Sequence, residues 1–506
     1  MAIHRGLDEK LKVKAIFYNL VHCGPQNPRR YEDINENSKY EGPCRLGSGV
    51  QLTHDYDVKT GAERFKDFCA TIKKYPDYCD MMQPSYLEWT DSFQVPPENY
   101  EKVKDDLAEA DFFINDGVLN GCPSMELAKK SGTPSAQVGC CSADWAAGAR
   151  RWGLEGYAYA DHEDAARHFR ILRARKGFKK TRVLFVNRAM VLPQGTLRLS
   201  TSNIDPETIW KEYGIEIHYL EHRQLIDAAL QMTDEQKRRA EKKAEELIAG
   251  AQFNSMSREN IIKSCNLYIV VRDFLDKFDC NAFTMPCHEV CATRAFNDEV
   301  QFTPCLCHSL LKEDGIPSCC ELDLNAMLAM SLINNLTNTA PHMGNTGPHF
   351  KPDKLDFTVP NGLPAVPELE GETDLFYTFH AVQTRKMHGI DAPNNSYGIE
   401  SFTKEGGWAA TIRHDFNKDK GAVITLARAT PDAKTLVMIR GKIVAGSGVH
   451  DVGCTNGFFW KPLYATSRQT FKQMMIAGHH WTWTYGDIAE DLEDLCESIG
   501  MQTIIV

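Results

Sequence analysis

What most constrains the fold is a change of texture along the chain. From Val13 to the region of Val271, short apolar runs bounded by turn residues alternate with stretches of helical periodicity. After about Pro348 these give way to closely spaced, strand-sized runs. Alternating strand and helix calls for a parallel sheet covered by helices, whereas close strand spacing favours an antiparallel sheet or small barrel. The early runs are Val13-Lys14-Ala15-Ile16-Phe17-Tyr18-Asn19-Leu20-Val21, closed by a His22-Cys23-Gly24-Pro25 turn, and residues 111–117 and 134–139. A basic stretch at 168–182, read as a solvated connecting helix, leads into Val183-Leu184-Phe185-Val186, where a second α/β domain begins. Residues 215–220 form a strand before a charged helix at 234–249, with Thr233 and Gln236 at capping-box spacing. Residues 267–271 fit either a strand or the continuation of a helix from Arg258. The late strands are expected at 375–380, 408–412, 422–427 and 435–440, with a final helix at 488–499 before the apolar tail Thr503-Ile504-Ile505-Val506.

The expected fold class is therefore α/β: two doubly wound α/β domains, 1–175 and 176–348, followed by a β-rich, barrel-like C-terminal domain, 349–506. A length of 506 residues agrees with such a division, at roughly 100–200 residues per domain. The formal charge of -11 gives no general attraction for nucleic acid or an acidic membrane surface, and neither is an expected partner. Residues 1–10 are charged, and no apolar run reaches the ~18 residues of a membrane span, so a cytoplasmic location is expected. Seven of the 17 cysteines (Cys280, Cys287, Cys291, Cys305, Cys307, Cys319 and Cys320) crowd into one segment. Without a secretion signal, reduced thiols are expected rather than a disulfide framework. Cys287-x3-Cys291 and Cys305-x-Cys307-His308 supply soft ligands but lack the Cys-x2-Cys rhythm of zinc ribbons. They read as small buried side chains lining strand ends beneath a polar site. No P-loop or dinucleotide fingerprint is present; Leu46-Gly47-Ser48-Gly49 lacks the third glycine, and no nucleotide cofactor is expected.

The chemistry-bearing stretch runs from Pro304-Cys305-Leu306-Cys307-His308-Ser309 through Gly315-Ile316-Pro317-Ser318-Cys319-Cys320-Glu321-Leu322-Asp323 to His342-Met343-Gly344-Asn345. An apolar helix over Leu324 to Leu336 separates Glu321 from Asn345. If Cys319-Cys320 ends one strand and Pro341-His342-Met343 forms the next, the two lie at the carboxyl edge of a βαβ unit, where ligand sites concentrate. A second stretch, Gly478-His479-His480-Trp481-Thr482-Trp483-Thr484-Tyr485-Gly486-Asp487, aims successive histidines to opposite strand faces. One of them can enter a site as a ligand for a divalent transition metal.

These segments, Cys-His-Ser…Gly-Ile-Pro…Cys-Glu-Leu-Asp, the Gly-Asn turn and the His-His-aromatic…Tyr-Gly-Asp stretch, resemble the L-fucose isomerase family, related to L-arabinose isomerase. The resemblance covers the last two-thirds of the chain by motif and order, and the first third by its α/β texture. It implies a hexamer with active sites near subunit boundaries and a metal, usually manganese, held by a glutamate, a second acid and a histidine. Carried over by motif, these are Glu321, Asn345 and His480, with Glu321 and Asn345 at the catalytic positions. Asn345 departs from the pattern: an amide oxygen can ligate a cation but removes one negative charge and cannot act as a general acid or base. His380 resembles a histidine near the start of the family's C-terminal domain and is a candidate substrate contact, as is Trp460, whose ring could stack on a sugar or belong to an aromatic core.

The implied activity is a divalent-metal-dependent aldose–ketose isomerisation of a small-molecule carbohydrate through an enediol. Glu321 is the base, and water, Glu289, Asp323 or His342 serves as the second proton carrier. The alternative is a non-catalytic carbohydrate-binding relative, or an enzyme with retuned chemistry on a sugar-like compound, because Asn345 stands where the acid is expected.

Overall fold

The computed structural model describes residues 3–21, 39–42, 45–48, 54–90, 96–116, 121–139, 142–187, 204, 206–287, 300–349, 369, 372–403 and 407–506. The expected turn at 22–25 and most of the proline-rich stretch after Phe350 lie outside them. The chain forms two compact units: Glu9–Arg173, and Met1–Asp8 together with Ala174–Val506.

The smaller unit contains β1 (Leu11–Val21), β2 (Lys39–Gly42), β3 (Arg45–Ser48), β4 (Cys79–Met81), β5 (Ser85–Thr90), β6 (Phe112–Asp116), β7 (Ser135–Val138) and β8 (Gly156–Tyr159). Its helices are α1 (His54–Ile72), α2 (Glu98–Glu109), α3 (Gly121–Ser131), α4 (Ser142–Arg151) and α5 (His162–Lys179), the last through Arg173. The main sheet runs β4-β1-β6-β7-β8, with β5 also on β1, and its pairings are parallel. Along β1, Val13, Ala15 and Phe17 enter one apolar cluster while Ile16 and Tyr18 enter another. A parallel sheet covered by helices needs apolar residues on both faces, which is why the run lacks polar alternation. The basic stretch at 168–182 is less solvated than expected: it occupies the second half of α5, and Phe169, Ile171, Leu172 and Phe178 are buried.

The larger unit opens with a four-stranded parallel sheet, ordered β10-β9-β11-β12, of β9 (Arg182–Asn187), β10 (Glu216–Glu221), β11 (Ala282–Met285) and β12 (Ser318–Cys320). Its helices are α6 (Pro206–Tyr213), α7 (His222–Leu230), α8 (Asp234–Gly250), α9 (Arg258–Lys277), α10 (Cys305–Glu313) and α11 (Leu324–Thr337). Thr233 and Gln236 form the expected capping box on α8, and residues 267–271 are helical within α9, where Cys265, Leu267, Tyr268 and Val271 reach the core.

The C-terminal part is a closed six-stranded antiparallel barrel. Its strands are β13 (His342–His349), β14 (Leu375–His380), β17 (Val423–Ala429), β18 (Thr435–Ser447), β19 (Asn456–Pro462) and β20 (His480–Tyr485), in the order β17-β20-β13-β14-β19-β18, with β18 pairing back to β17. A separate pair, β15 (Gly398–Ser401) and β16 (Ala410–Arg413), packs Ile399, Ala410 and Ile412 into the α/β core. The helices α12 (Ser467–Ala477) and α13 (Ala489–Ser498) follow, and the apolar tail forms β21 (Gln502–Ile505), parallel to β18. Phe376, Phe458, Trp460, Trp481 and Trp483 fill the barrel core.

The βαβ expectation for residues 318–345 is corrected here. β13 does not pair with β12; it is the barrel strand between β20 and β14. The connecting α11 is largely apolar and buried at every position from Leu324 to Leu336, which suits a helix with neighbours all round better than a sheet-covering one. Closure brings backbones close at Gly457, where an added Cβ would lie 2.0 Å from the Thr378 carbonyl oxygen. Gly457→Ala is expected to cost ~1–3 kcal/mol or more through overpacking, read as a lower urea midpoint with an unchanged slope.

Candidate metal centre

The centre begins at the end of β12. Glu321 and Leu322 both take left-handed backbone angles, φ 63° and 55°, and the Asp323 N–H closes the turn on the Cys320 carbonyl at 3.1 Å. Two successive non-glycine residues in that region cost ~1–3 kcal/mol each, so the surroundings must impose the turn. Leu322 is buried, and Asp323 caps α11 by accepting the Ala326 N–H at 3.0 Å. The elbow thereby buries the Glu321 carboxylate immediately before an apolar helix.

Two histidines meet this carboxylate because of barrel stagger. The first half of β13 pairs with β20 and the second half with β14; only Asn345 is matched to both, opposite His480 on one side and Phe379 on the other. His480 begins β20 and His380 ends β14, so they flank β13 where its pairing changes hands. Their rings stack with centroids 5.1 Å apart. Gly344 lies in the gap, where a Cβ would come within 2.9 Å of the Phe379 carbonyl oxygen. His380 Nε2 is 3.7 Å from Glu321 Oε1, and ligand atoms of Glu321, His380 and His480 all lie within 4.8 Å of one another. All three side chains are buried. His479 precedes β20 and is exposed, and the expected separation to opposite strand faces is corrected: its ring lies 6.3 Å from that of His480 in stacked geometry.

Electrostatics fix the orientation of one ligand. His480 Nδ1 lies 2.8 Å from Asp323 Oδ2, which also accepts from Arg428 Nη1 at 2.7 Å. Burial alone would raise the Asp323 carboxyl; the Arg428 guanidinium and the His480 hydrogen bond outweigh it and hold the group below the usual carboxylate range. An ionised carboxylate only accepts, so His480 carries its proton on Nδ1 and presents the Nε2 lone pair. Arg428 is anchored in turn on the Ala477 carbonyl at 2.7 Å and on the His480 carbonyl. Carboxylate–histidine pairs of this kind set the tautomer and raise the basicity of metal-ligating imidazoles.

The donor set fits a divalent cation. His480 Nε2 and both ring nitrogens of His380 are buried without a hydrogen-bond partner among the described residues. Burial pushes His380 down to about 4, against the opposing pull of Glu321, so its ring is neutral and able to ligate near pH 7. One carboxylate and two imidazoles suit zinc, manganese or iron better than calcium.

Of the residues singled out in the sequence, Glu321 and His480 converge, and His380, expected as a substrate contact, is the third member of the cluster. Asn345 stands directly across the ladder from His480 and is half-buried. The sugar-stacking expectation for Trp460 is corrected: its ring lies in the barrel core, 4.8 Å from Phe376 in stacked geometry, with Nε1 on Thr378 Oγ1. Among the proton-carrier candidates, Asp323 is engaged by Arg428 and His480, His342 Nδ1 accepts the Trp483 indole N–H at 2.8 Å, and Glu289 lies outside the described residues. Cys291 lies outside them too. The described cysteines carry no disulfide, and none belongs to a group able to hold a metal ion. Arg428 was missed: a lone arginine on a barrel strand gives no sequence signal.

The fold and centre define a mixed α/β protein with a C-terminal barrel and a buried Glu-His-His set able to take a divalent cation. No family model matches the chain. It is similar to the sulfoquinovose isomerases of Priestia aryabhattai and Priestia megaterium (strain ATCC 12872 / QMB1551), each 21% identical over 314 residues. The match covers 60% of this chain and 60% of each relative, so the chain spans under two-thirds of the relatives' length. No helix among the described residues is long and apolar enough to cross a membrane.

Two outcomes follow from these electrostatics. Asp323→Asn should weaken Mn2+ binding about 10–100-fold in calorimetric titration, because the amide no longer fixes the His480 tautomer; unchanged affinity would remove the proposed role of Asp323. The second concerns pH. Burial holds His308 and His342 well below the ordinary imidazole range and His380 near about 4. Their unfolded values lie near ~6.5, so below that pH the unfolded chain takes up protons that the folded chain refuses. Stability of the metal-free protein should therefore fall on acidification below ~6.5, each histidine contributing up to about 1.4 kcal/mol per pH unit. His380 contributes until its folded value near about 4 is reached. Asp323, whose folded value is lowered, adds its loss only below this window. Urea midpoints at about pH 7 and 5.5 read the difference.

Proposed function

We propose that the chain is a divalent-metal-dependent aldose–ketose isomerase acting on a sugar or sugar-like substrate through an enediol. The observation that carries the reading is the convergence of Glu321, His380 and His480, with the Nε2 of His480 freed by its hydrogen bond to Asp323. The likeness to sulfoquinovose isomerases and the resemblance to the fucose/arabinose isomerase type support it. On the same resemblance, the metal is manganese, the assembly is a hexamer, and the chain is organised as 1–175, 176–348 and 349–506.

A cation held by Glu321, His380 and His480 supplies polarisation of the substrate's carbonyl and neighbouring hydroxyl oxygens. The rest falls to the chain. Glu321, buried beside the stacked imidazoles, removes the proton from the carbon next to the carbonyl. Asn345, across from His480, offers an amide that donates to or accepts from a sugar oxygen but holds no titratable proton. Asp323 is fixed in its ion pair, so the returning proton falls to water, Glu289 or His342, whose Nδ1 accepts from Trp483 and whose Nε2 has no partner among the described residues.

The test is incubation of the Mn2+-loaded protein with an aldose panel in deuterated water. Ketose formation, or deuterium exchange beside the carbonyl, is expected. Glu321→Gln should lower the rate by about 10²–10⁴, the range of a lost general base. Turnover undiminished in that variant would contradict the assignment.

A second reading is a carbohydrate-binding relative without turnover, and Asn345 is the residue that favours it. Asn345→Asp separates the two. Activity gained from an inactive parent indicates a decayed centre, whereas activity lost from an active parent indicates a retuned one.

A further inference from the structure

Buried arginines of the larger unit have carboxylate partners: Arg428 donates to Asp323 at 2.7 Å, and Arg385 grips Glu313 through Nε and Nη2, the shorter contact 2.6 Å. Arg413 does not. It ends β16 as one of the largest fully buried side chains, with Nη2 donating to the Gly453 carbonyl at 2.8 Å. Its Nε and Nη1 find no partner among the described residues, which leaves four of its five N–H bonds unengaged there. A guanidinium stays charged when buried, so this is a cation with open donors and no carboxylate hydrogen-bonded to it among the described residues. The acids within electrostatic reach do not hydrogen-bond it: Glu400 accepts from the Ser401 N–H at 2.8 Å and from Ser255 Oγ, and Asp451 is exposed to solvent.

Connectivity links the Arg413 segment to the metal centre. The next residue, His414, is latched to Asn456 at both ends: its N–H donates to Asn456 Oδ1 at 2.8 Å, and Asn456 Nδ2 donates to its carbonyl at 2.9 Å. Asn456 is the ladder partner of His380, and Gln383 Nε2 donates to the carbonyls of both, at 2.7 and 2.8 Å. The Cys454 thiol lies within electrostatic reach of both Arg413 and Glu321.

We infer that Arg413 recognises an anionic substituent on the ligand of the Glu321/His380/His480 centre, so that the preferred sugar carries a carboxylate, phosphate or sulfonate group. This rests on the reading of the centre as a sugar site. Open N–H bonds on a planar guanidinium are the donor array that carboxylate and oxyanion groups select. The negative substituent supplies the partner that the described residues do not. Neutral sugars, leaving the cation unpaired, bind less tightly.

The test measures binding rather than turnover, so it does not share the fate of the isomerase reading. The Mn2+-loaded protein is titrated calorimetrically with D-glucose, D-glucuronate, D-glucose 6-phosphate and sulfoquinovose, whose charged members separate the three anion chemistries. At least one charged sugar should bind tenfold or more tightly than glucose. Arg413→Met should abolish that preference without changing glucose binding, and Arg413→Lys should restore part of it. Because Arg413→Met removes a buried charge that no carboxylate pairs among the described residues, its melting temperature should be equal to or above that of the parent. Should it fail to fold, the parent alone decides: sulfate or phosphate at matched ionic strength should compete with the charged sugar and raise the melting temperature more than chloride does. Equal affinity for glucose and every charged sugar, no binding of any charged sugar at millimolar concentration, or a preference that survives Arg413→Met overturns the inference. Arg413-dependent binding without isomerisation would retain the anion site and remove the isomerase reading; isomerisation of neutral sugars without charge preference would do the reverse.

Discussion

The Asp323 carboxylate is the interaction on which the centre depends. Fully buried, it joins three parts of the larger unit: the N-terminus of α11 through Ala326, the barrel strand β17 through Arg428, and β20 through His480. A buried ion pair is weak evidence of stability, since desolvation offsets much of its Coulombic attraction, but removing one member strands the other at a cost of ~3–5 kcal/mol. Its stronger effect is on geometry. One carboxylate fixes the start of the helix that follows the Glu321 elbow and the tautomer of a histidine from the far end of the chain. The elbow's left-handed residues are sustained by the same fixation, with Leu322 packed on one side and the capped helix on the other.

The barrel does the remaining positioning. A strand that pairs with one neighbour over its first half and another over its second creates a place where two strand ends meet without blocking each other. His380 and His480 occupy that place, and Gly344, without a side chain, lets β14 approach at Thr378 and Phe379. Residues distant in sequence are thus gathered by ladder register rather than by a loop.

Much of the fold was legible because periodicity is a local property. The continuous apolar run of β1, the capping box of α8 and the closely spaced late strands each carry their structure in a few neighbouring residues. What failed was pairing. Nothing between Cys320 and Asn345 distinguishes a helix returning to the same sheet from one leading into a barrel, because both need an apolar helix followed by a strand; only the burial of α11 on all sides marks the difference. At the centre, Glu321 and His480 were visible from their motifs, and Asp323 was noticed only as a neighbour of Glu321. Arg428 and Arg413 were invisible: their significance lies in what surrounds them after folding, a carboxylate in one case and none among the described residues in the other. Trp460 was ambiguous because an aromatic residue flanked by aromatic residues has the same sequence signature in a core as on a sugar platform.

The account's central claim is that Glu321, His380 and His480 share one divalent cation. An anomalous difference map from crystals grown with Mn2+ tests it most directly. The account predicts a single strong peak within ~2.0–2.6 Å of a Glu321 carboxylate oxygen, a ring nitrogen of His380 and His480 Nε2, with His480 Nδ1 still on Asp323. A peak elsewhere, or none between these three side chains at saturating Mn2+, would contradict it.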